Sequence, residues 1–200
     1  CVDKWSTFCF AKDRGIPSIP TYVSIDDALV AIDNQFTRFP MVVKPRWGSA
    51  SIGLQIVRNK RELMDAFASC KIEIEQSMLA SLGSDDGVII QEFISGIEYG
   101  VDVLFDSCCS CQGFAVKRKL AMRAGETDKA VSVSPERFQS LMEQIVSGFR
   151  HRGNLDCDFL ERDGQIFLLE ANPRFGGGYP FTHTAGANHV ERLVNDALGI

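Results

Sequence analysis

Asp156-Cys157-Asp158-Phe159-Leu160-Glu161-Arg162-Asp163-Gly164-Gln165-Ile166-Phe167-Leu168-Leu169-Glu170-Ala171-Asn172-Pro173-Arg174 is the stretch that decides how this chain is read. Leu155 to Glu161 and Gln165 to Asn172 are β-type runs around Asp163-Gly164, a dipeptide that favours hairpin turns. An acid heading out of a run as apolar as Ile166-Phe167-Leu168-Leu169 is expensive if buried alone, so Glu170 implies a compensating cation. Oxygen donors from Asp158, Glu170 and Asn172 suit Mg²⁺, which keeps waters and takes substrate phosphates. Strand parity constrains this reading. A two-residue turn places Cys157 opposite Glu170, whereas a three- or five-residue loop places Asp156 opposite it with Asp158 on the same face. The cation reading therefore requires an odd-length loop. A polar strand end satisfied by Arg174 or water is the plainer alternative.

Working outward, local signals give alternating helices and strands. Asp3 caps a helix over Lys4 to Arg14 that Gly15 stops. Ser24 with Asp27 opens a second, with Ala28, Leu29, Ile32 and Phe36 at helical spacing. Pro40 to Lys44 and Leu54 to Val57 flank a loop of small residues and read as a hairpin. Asn59 with Glu62 opens a third helix whose Leu63, Ala66 and Phe67 face one way. Val88 to Phe93, Tyr99 to Phe105 and Phe114 to Leu120 read as strands. Ser134 caps a helix over Pro135 to Arg150, with Phe138, Leu141, Met142, Ile145, Val146 and Phe149 as a core stripe. Arg174 to Pro180 is too rich in glycine for regular structure, and helix resumes over His189 to Leu198. Helices mixed with antiparallel pieces give an α+β class.

Composition bounds the function. The 200 residues, 45% hydrophobic and 24% charged, exclude collagen-like, disordered and membrane-spanning classes. No run approaches the roughly eighteen apolar residues of a bilayer span. A net charge of -5 argues against a nucleic-acid partner. Seven cysteines, an odd count, and the lack of an N-x-Ser/Thr sequon fit a reducing cytoplasm better than an oxidised framework. Cys108, Cys109 and Cys111 read as a loop thiol cluster, since no second ligand pair stands at zinc-site spacing. The start at Cys1, with neither Met nor a signal pattern, reads as a piece of a longer protein.

Neither G-x-x-x-x-G-K-[ST] nor G-x-G-x-x-G occurs, and H-E-x-x-H and G-x-S-x-G are missing too. Two other signals remain. Lys44-Pro45-Arg46-Trp47-Gly48-Ser49-Ala50-Ser51-Ile52-Gly53 offers a lysine and backbone N–H groups to phosphate oxygens; a solvated hairpin with an edge lysine has the same appearance. Gln91-Glu92-Phe93-Ile94-Ser95-Gly96-Ile97-Glu98-Tyr99 reads as an extended linker whose backbone meets a heterocycle edge, with Glu98 on ribose hydroxyls; a plain strand connection reads the same way. Lys117-Arg118-Lys119 with Arg123, followed by residues 125–129, reads either as a mobile loop reaching phosphate or as a solvated basic strand edge. His183 and His189 read as structural rather than substrate-contacting.

In this order the three signals resemble the ATP-grasp superfamily, especially its branch similar to the carbamoyl phosphate synthase large subunit. The resemblance runs from Asp3-Lys4 through Lys44-Pro45 and Gln91-Glu92-Phe93-Ile94 to Glu170-Ala171-Asn172-Pro173-Arg174. It implies an ATP-grasp fold, two α+β lobes with an ATP cleft between them, and a preceding α/β domain absent from this chain. It divides the chain into an N-terminal helix and connector (1–20), a lid lobe with the phosphate hairpin (21–92) and a catalytic lobe with the metal site (93–200). The implied activity is ADP-forming joining of a carboxylate to an amine or ammonia through an acyl phosphate, with ATP and Mg²⁺ or Mn²⁺. An ATP-binding module or a kinase-like phosphotransferase is the alternative. By resemblance Lys4, Lys44, Ser49 and Ser51 meet the phosphates, Gln91, Glu92, Phe93 and Ile94 line the adenine, and Glu98 holds the ribose. Asp158, Glu170 and Asn172 hold the metal, with Asp156 in reserve, and Arg174 and Lys44 face the transferred phosphoryl group. Implied partners are small carboxylates and amines and a second copy of the chain, with neither nucleic acid nor a membrane.

Overall fold

The computed structural model describes residues 3–48, 53–76, 87–123 and 125–200. Two antiparallel sheets divide the chain. The first has the order β1-β4-β2-β3, with β1 Thr21–Tyr22, β2 Met41–Pro45, β3 Gln55–Val57 and β4 Val88–Glu92. The second has the order β7-β6-β5-β8-β9, with β5 Ile97–Phe105, β6 Cys111–Arg123, β7 Glu126–Val133, β8 Gly153–Arg162 and β9 Gln165–Asn172.

Each sheet buries one face under helices. Helix α2, Ile25–Asp33, is capped by Ser24, and α3, Lys60–Glu75, by Asn59, whose Oδ1 accepts from Glu62 N. Their Ala28, Leu63, Ala66 and Cys70 pack on Met41, Val43, Val57, Val88 and Ile90. Phe36, expected on the α2 stripe, lies beyond the helix and is exposed. On the second sheet Tyr99, Val101, Val103, Cys157, Phe159 and Ala171 face α1, Lys4–Asp13, and α4, Gln139–Val146. Met142 and Ile145 carry α4 into that core, as their spacing predicts. The helix expected over 135–150 is shorter: a 3₁₀ turn, Glu136–Phe138, precedes α4.

Two further readings are settled by the strands and helices. Residues 126–129 are not a loop but part of β7, the exposed edge strand, which pairs with β6 across the bulges near Ala121, while Lys117 beside it is buried. The glycine segment runs into a short helix, α5, Tyr179–Thr184, ahead of α6, His189–Leu198.

The β8–β9 hairpin corrects the parity argument. The turn holds only Asp163 and Gly164, both at positive φ, with Arg162 opposite Gln165. An even turn alone would put Cys157 opposite Glu170. Register instead shifts between Phe159↔Leu168 and Asp158↔Glu170, so Leu169 is an extra residue on β9. This β-bulge supplies the odd residue expected in the loop. Beyond it Asp158 opposes Glu170 and Asp156 opposes Asn172, so all four polar side chains share the face away from the helices.

Candidate functional site

Residues from α1, the first sheet and the second sheet meet at the end of β9. Asp3 caps α1, accepting from Trp5 N and Ser6 N, and also takes a bidentate pair from Arg46 at 2.8 and 2.7 Å. Burial would raise the Asp3 carboxyl, but the Arg46 and Ser6 hydrogen bonds prevail and lower it to about 2. Lys4 N donates to Arg46 O at 3.1 Å. The start of α1 is thereby fastened to the chain leaving β2, which puts Lys4 where its Nζ donates to Gly48 O at 2.8 Å and lies 3.6 Å from Glu170 Oε1.

Lys44 projects from β2 on the face opposite the Met41/Val43 core. Its Nζ donates to Gln91 Oε1 at 3.1 Å, and Gln91 Nε2 in turn donates to Thr21 Oγ1 at 2.9 Å. Burial pushes the Lys44 amine down to about 8, Glu170 pulls it up and Lys4 pushes it down. Lys4, Lys44, Gln91 and Glu170 thus form one cluster, with Gln91 orienting the lysine.

The second sheet extends this surface. By cross-strand pairing Glu98, Gly100 and Asp102 of β5, Lys117 of β6, and Asp156 and Asp158 of β8 face the same way. Lys119, two positions past Lys117, donates to Asp158 Oδ1 at 2.6 Å. Burial alone would lower the Lys119 amine, but Asp158, then Glu98 and Asp156, raise it. Asp156 is pushed up to about 7, first by burial and then by the charges of Asp158 and Asp102, against Lys117 and Arg174. Arg174 Nη1 stands 3.5 Å from Asp156 Oδ2 and donates to Phe175 O.

Other sequence-level candidates fall elsewhere. Glu92 lies on the opposite face of β4 from Gln91, where its carboxylate accepts from Thr37 Oγ1 at 3.0 Å and stands 3.9 Å from Arg162. Ile94 is buried with Ile19 and Leu160. Phe93 N donates to Pro40 O. The Glu92 carboxylate is thus engaged on the far face of β4, and the Ile94 side chain belongs to a small apolar cluster. Ser49 and Ser51 lie outside the described residues.

A buried polar network beside the cluster escaped the sequence reading. Asp102, fully buried, pairs with Lys117 Nζ and accepts from Thr182 Oγ1 at 2.6 Å and Asn154 Nδ2 at 3.2 Å. Asn154 Nδ2 also reaches Arg174 O, and its Oδ1 meets His189 Nδ1 at 2.8 Å. Burial lowers the His189 imidazole, which fits its structural reading. The glycine segment lies against these side chains: a Cβ at Gly176 would collide with the Asp156 carboxylate, one at Gly177 with Glu126, and one at Gly178 with Lys117. A basic residue inside a β6-like run gave no sequence signal of burial, because its acidic partner stands 15 positions away.

Among the described residues no three His, Cys, Asp or Glu side chains converge tightly enough to hold a metal unaided. The donor chemistry nevertheless fits a hard cation. Asp158, Glu170 and Asn172 supply two carboxylates and an amide on one face, with the Asp156 carboxyl on the same face. Such a set leaves coordination positions for phosphate oxygens.

A sequence model of the family described as ATP-grasp domain matches residues 1–178. The chain is 25% identical to pyruvate carboxylase of Bacillus subtilis, across 94% of this chain and 17% of that protein. It is 27% identical to D-alanine--D-alanine ligase of Helicobacter pylori, across 86% of this chain and 50% of that one. The fold is similar to the biotin carboxylase domain of Hydrogenobacter thermophilus 2-oxoglutarate carboxylase, solved with MgADP and bicarbonate. There the TM-score is 0.83 at 16% identity, covering 100% of this chain and 46% of that one. The chain spans between about a sixth and a half of the length of these curated relatives.

Proposed function

We propose, from the premise that this chain belongs to the ATP-grasp domain family, that it binds MgATP at the cluster around Glu170 and serves an ADP-forming ligase that joins a carboxylate to an amine. The observation that carries this reading is the convergence of Lys4, Lys44 and Glu170 from three separate segments on the face that also bears Asp158 and Asn172.

The chemistry asked of these residues is charge management. A carboxylate oxygen attacks the γ-phosphorus of ATP and ADP leaves; the amine nitrogen then attacks the acyl carbon, phosphate leaves, and the amine proton passes to solvent. Two anions must meet in the first step, so positioning and neutralisation dominate the barrier. A divalent cation on Asp158, Glu170 and Asn172 would neutralise phosphate oxygens. Lys4 and Lys44 bring positive charge to the same oxygens, and Gln91 holds Lys44 in place. Arg174, half-exposed at the sheet end beside Asp156, is free to swing toward the transferred phosphoryl group. Glu98, exposed on the same face, is available to ribose hydroxyls. No protein nucleophile is required.

ADP release by the full-length protein, screened against amino acids, peptides and bicarbonate with and without amines, tests the proposal. ADP formation that needs both a carboxylate and an amine supports it. A stable phosphorylated product formed without amine would replace ligase with phosphotransferase, and ATP binding without turnover across the panel would reduce the chain to a binding module.

A further inference from the structure

Each carboxylate on the face around Glu170 stands beside a base of its own. Asp156 is 3.5 Å from Arg174, Asp158 is 2.6 Å from Lys119 and Glu170 is 3.6 Å from Lys4. These acids are thus matched one to one by bases, and none of them waits unpaired for a bare dication. A cation can take both Asp158 and Glu170 only where Lys119 and Lys4 give way.

The pairs differ in strength. Arg174 has a half-exposed side chain, and its Nη1 also donates to Phe175 O, so water screens its pair with Asp156. Lys4 keeps a second partner, Gly48 O at 2.8 Å, when its pair with Glu170 opens. Lys119 is held differently. Its side chain is 10% exposed, and among the described residues its Nζ donates to Asp158 Oδ1 alone. It reaches that oxygen from β6 across the whole width of β5, about 10 Å from strand to strand, a span that takes a long cation. A short, shielded, charge-assisted hydrogen bond is the strongest hold on any of these acids.

We infer that Lys119 bars the free divalent ion from the cation site, so that the ion enters with its nucleotide. This rests on the ligase reading. Lys119 serves as the resident counter-ion of Asp158, and a bare dication has to break that bond while adding positive charge next to the displaced ammonium. A triphosphate arriving with the ion brings anionic oxygens for Lys4 and Lys44, and their added binding offsets the lost bond between Lys119 and Asp158. The displaced Lys119 stays within the field of Glu98 and Asp156. Ion and nucleotide therefore bind with positive coupling.

The test titrates Mn²⁺ into the nucleotide-free protein and follows the free ion by electron paramagnetic resonance. Lys119→Met should bind Mn²⁺ about tenfold tighter than wild type, since one charge-assisted hydrogen bond no longer competes. Lys119→Gln should show the same gain and stands in if the methionine variant does not fold. Lys119→Arg keeps the charge and should keep the wild-type affinity. Arg118→Gln removes an equal charge from the opposite face of β6 and should also leave the affinity unchanged. No gain in the neutral Lys119 variants, or an equal gain in Arg118→Gln, would overturn the inference. ATP titrated in parallel separates the two failures. A chain that binds ATP with Mn²⁺ but shows no gain in Lys119→Met keeps the ligase reading and loses this assignment; one that shows the gain but binds no ATP loses the ligase reading and keeps Lys119 as the bar to the free ion.

Discussion

Asp158 lies directly across the β8–β9 ladder from Glu170, and each of these carboxylates has a lysine beside it, Lys119 at 2.6 Å and Lys4 at 3.6 Å. The extra residue Leu169 brings the two acids to one face; the lysines keep that face from being a bare concentration of negative charge. In the proposed reaction a divalent cation held by the two acids would free Lys4 for the phosphate oxygens, beside Lys44. The site is thus assembled before nucleotide arrives, with its charges paired internally.

Lys44 makes this pre-pairing measurable. Burial pushes its amine down to about 8 from an ordinary 10.5, so near pH 8.5 a substantial part of it is neutral in the free protein. Triphosphate favours the charged form, so ATP binding at that pH should take up a substantial fraction of a proton. Calorimetry in buffers of different ionisation enthalpy reads this directly. Lys44→Arg, charged throughout, should abolish the uptake; the same uptake in the variant would remove Lys44 from the phosphates.

The Lys117–Asp102 pair is buried on both sides. Lys117→Met leaves Asp102 as an uncompensated buried charge and should cost about 3–5 kcal/mol. Lys117→Met with Asp102→Leu should recover much of that loss. Urea unfolding of the single and double variants checks this, and an additive double variant would show that the two groups do not interact.

Asp3 couples stability to acid. Its carboxyl is depressed to about 2 from 3.8, so the stabilisation is fully present above about pH 4 and fades as pH falls toward 2. Its ceiling is about 2 kcal/mol by linkage. Asp3→Asn keeps a capping oxygen and loses the charge. The variant should therefore be less stable by about 1–2 kcal/mol at pH 7, with the gap to wild type narrowing at pH 3. A gap independent of pH in urea midpoints would assign the loss to capping alone.

Features set by neighbours in sequence were legible without the structure. The caps at Asp3, Ser24 and Asn59 and the stripe of Met142 and Ile145 on α4, with Phe138 buried in the turn before it, are local patterns, and the structure has them where they were expected. Glu-x-Asn-Pro-Arg after an apolar strand pointed to the family for the same reason. What was not legible depends on partners far away in the chain. A bulge at Leu169 has no residue signature, since leucine is ordinary in β9, and only pairing with β8 displays it. Lys117 reads as a surface lysine until Asp102, Gly100 and Gly178 close around it. Glu92 alternates away from Gln91, so adjacent residues of one motif end on opposite faces.

The most direct measurement of the central claim is ATP affinity with and without Mg²⁺ in wild type and Glu170→Gln. Mg²⁺ should tighten ATP binding to wild type, this gain should disappear in Glu170→Gln, and the variant should keep a wild-type circular dichroism spectrum. An Mg²⁺ gain of equal size in Glu170→Gln would mean that the acids of β8 and β9 do not hold the cation shared with the nucleotide.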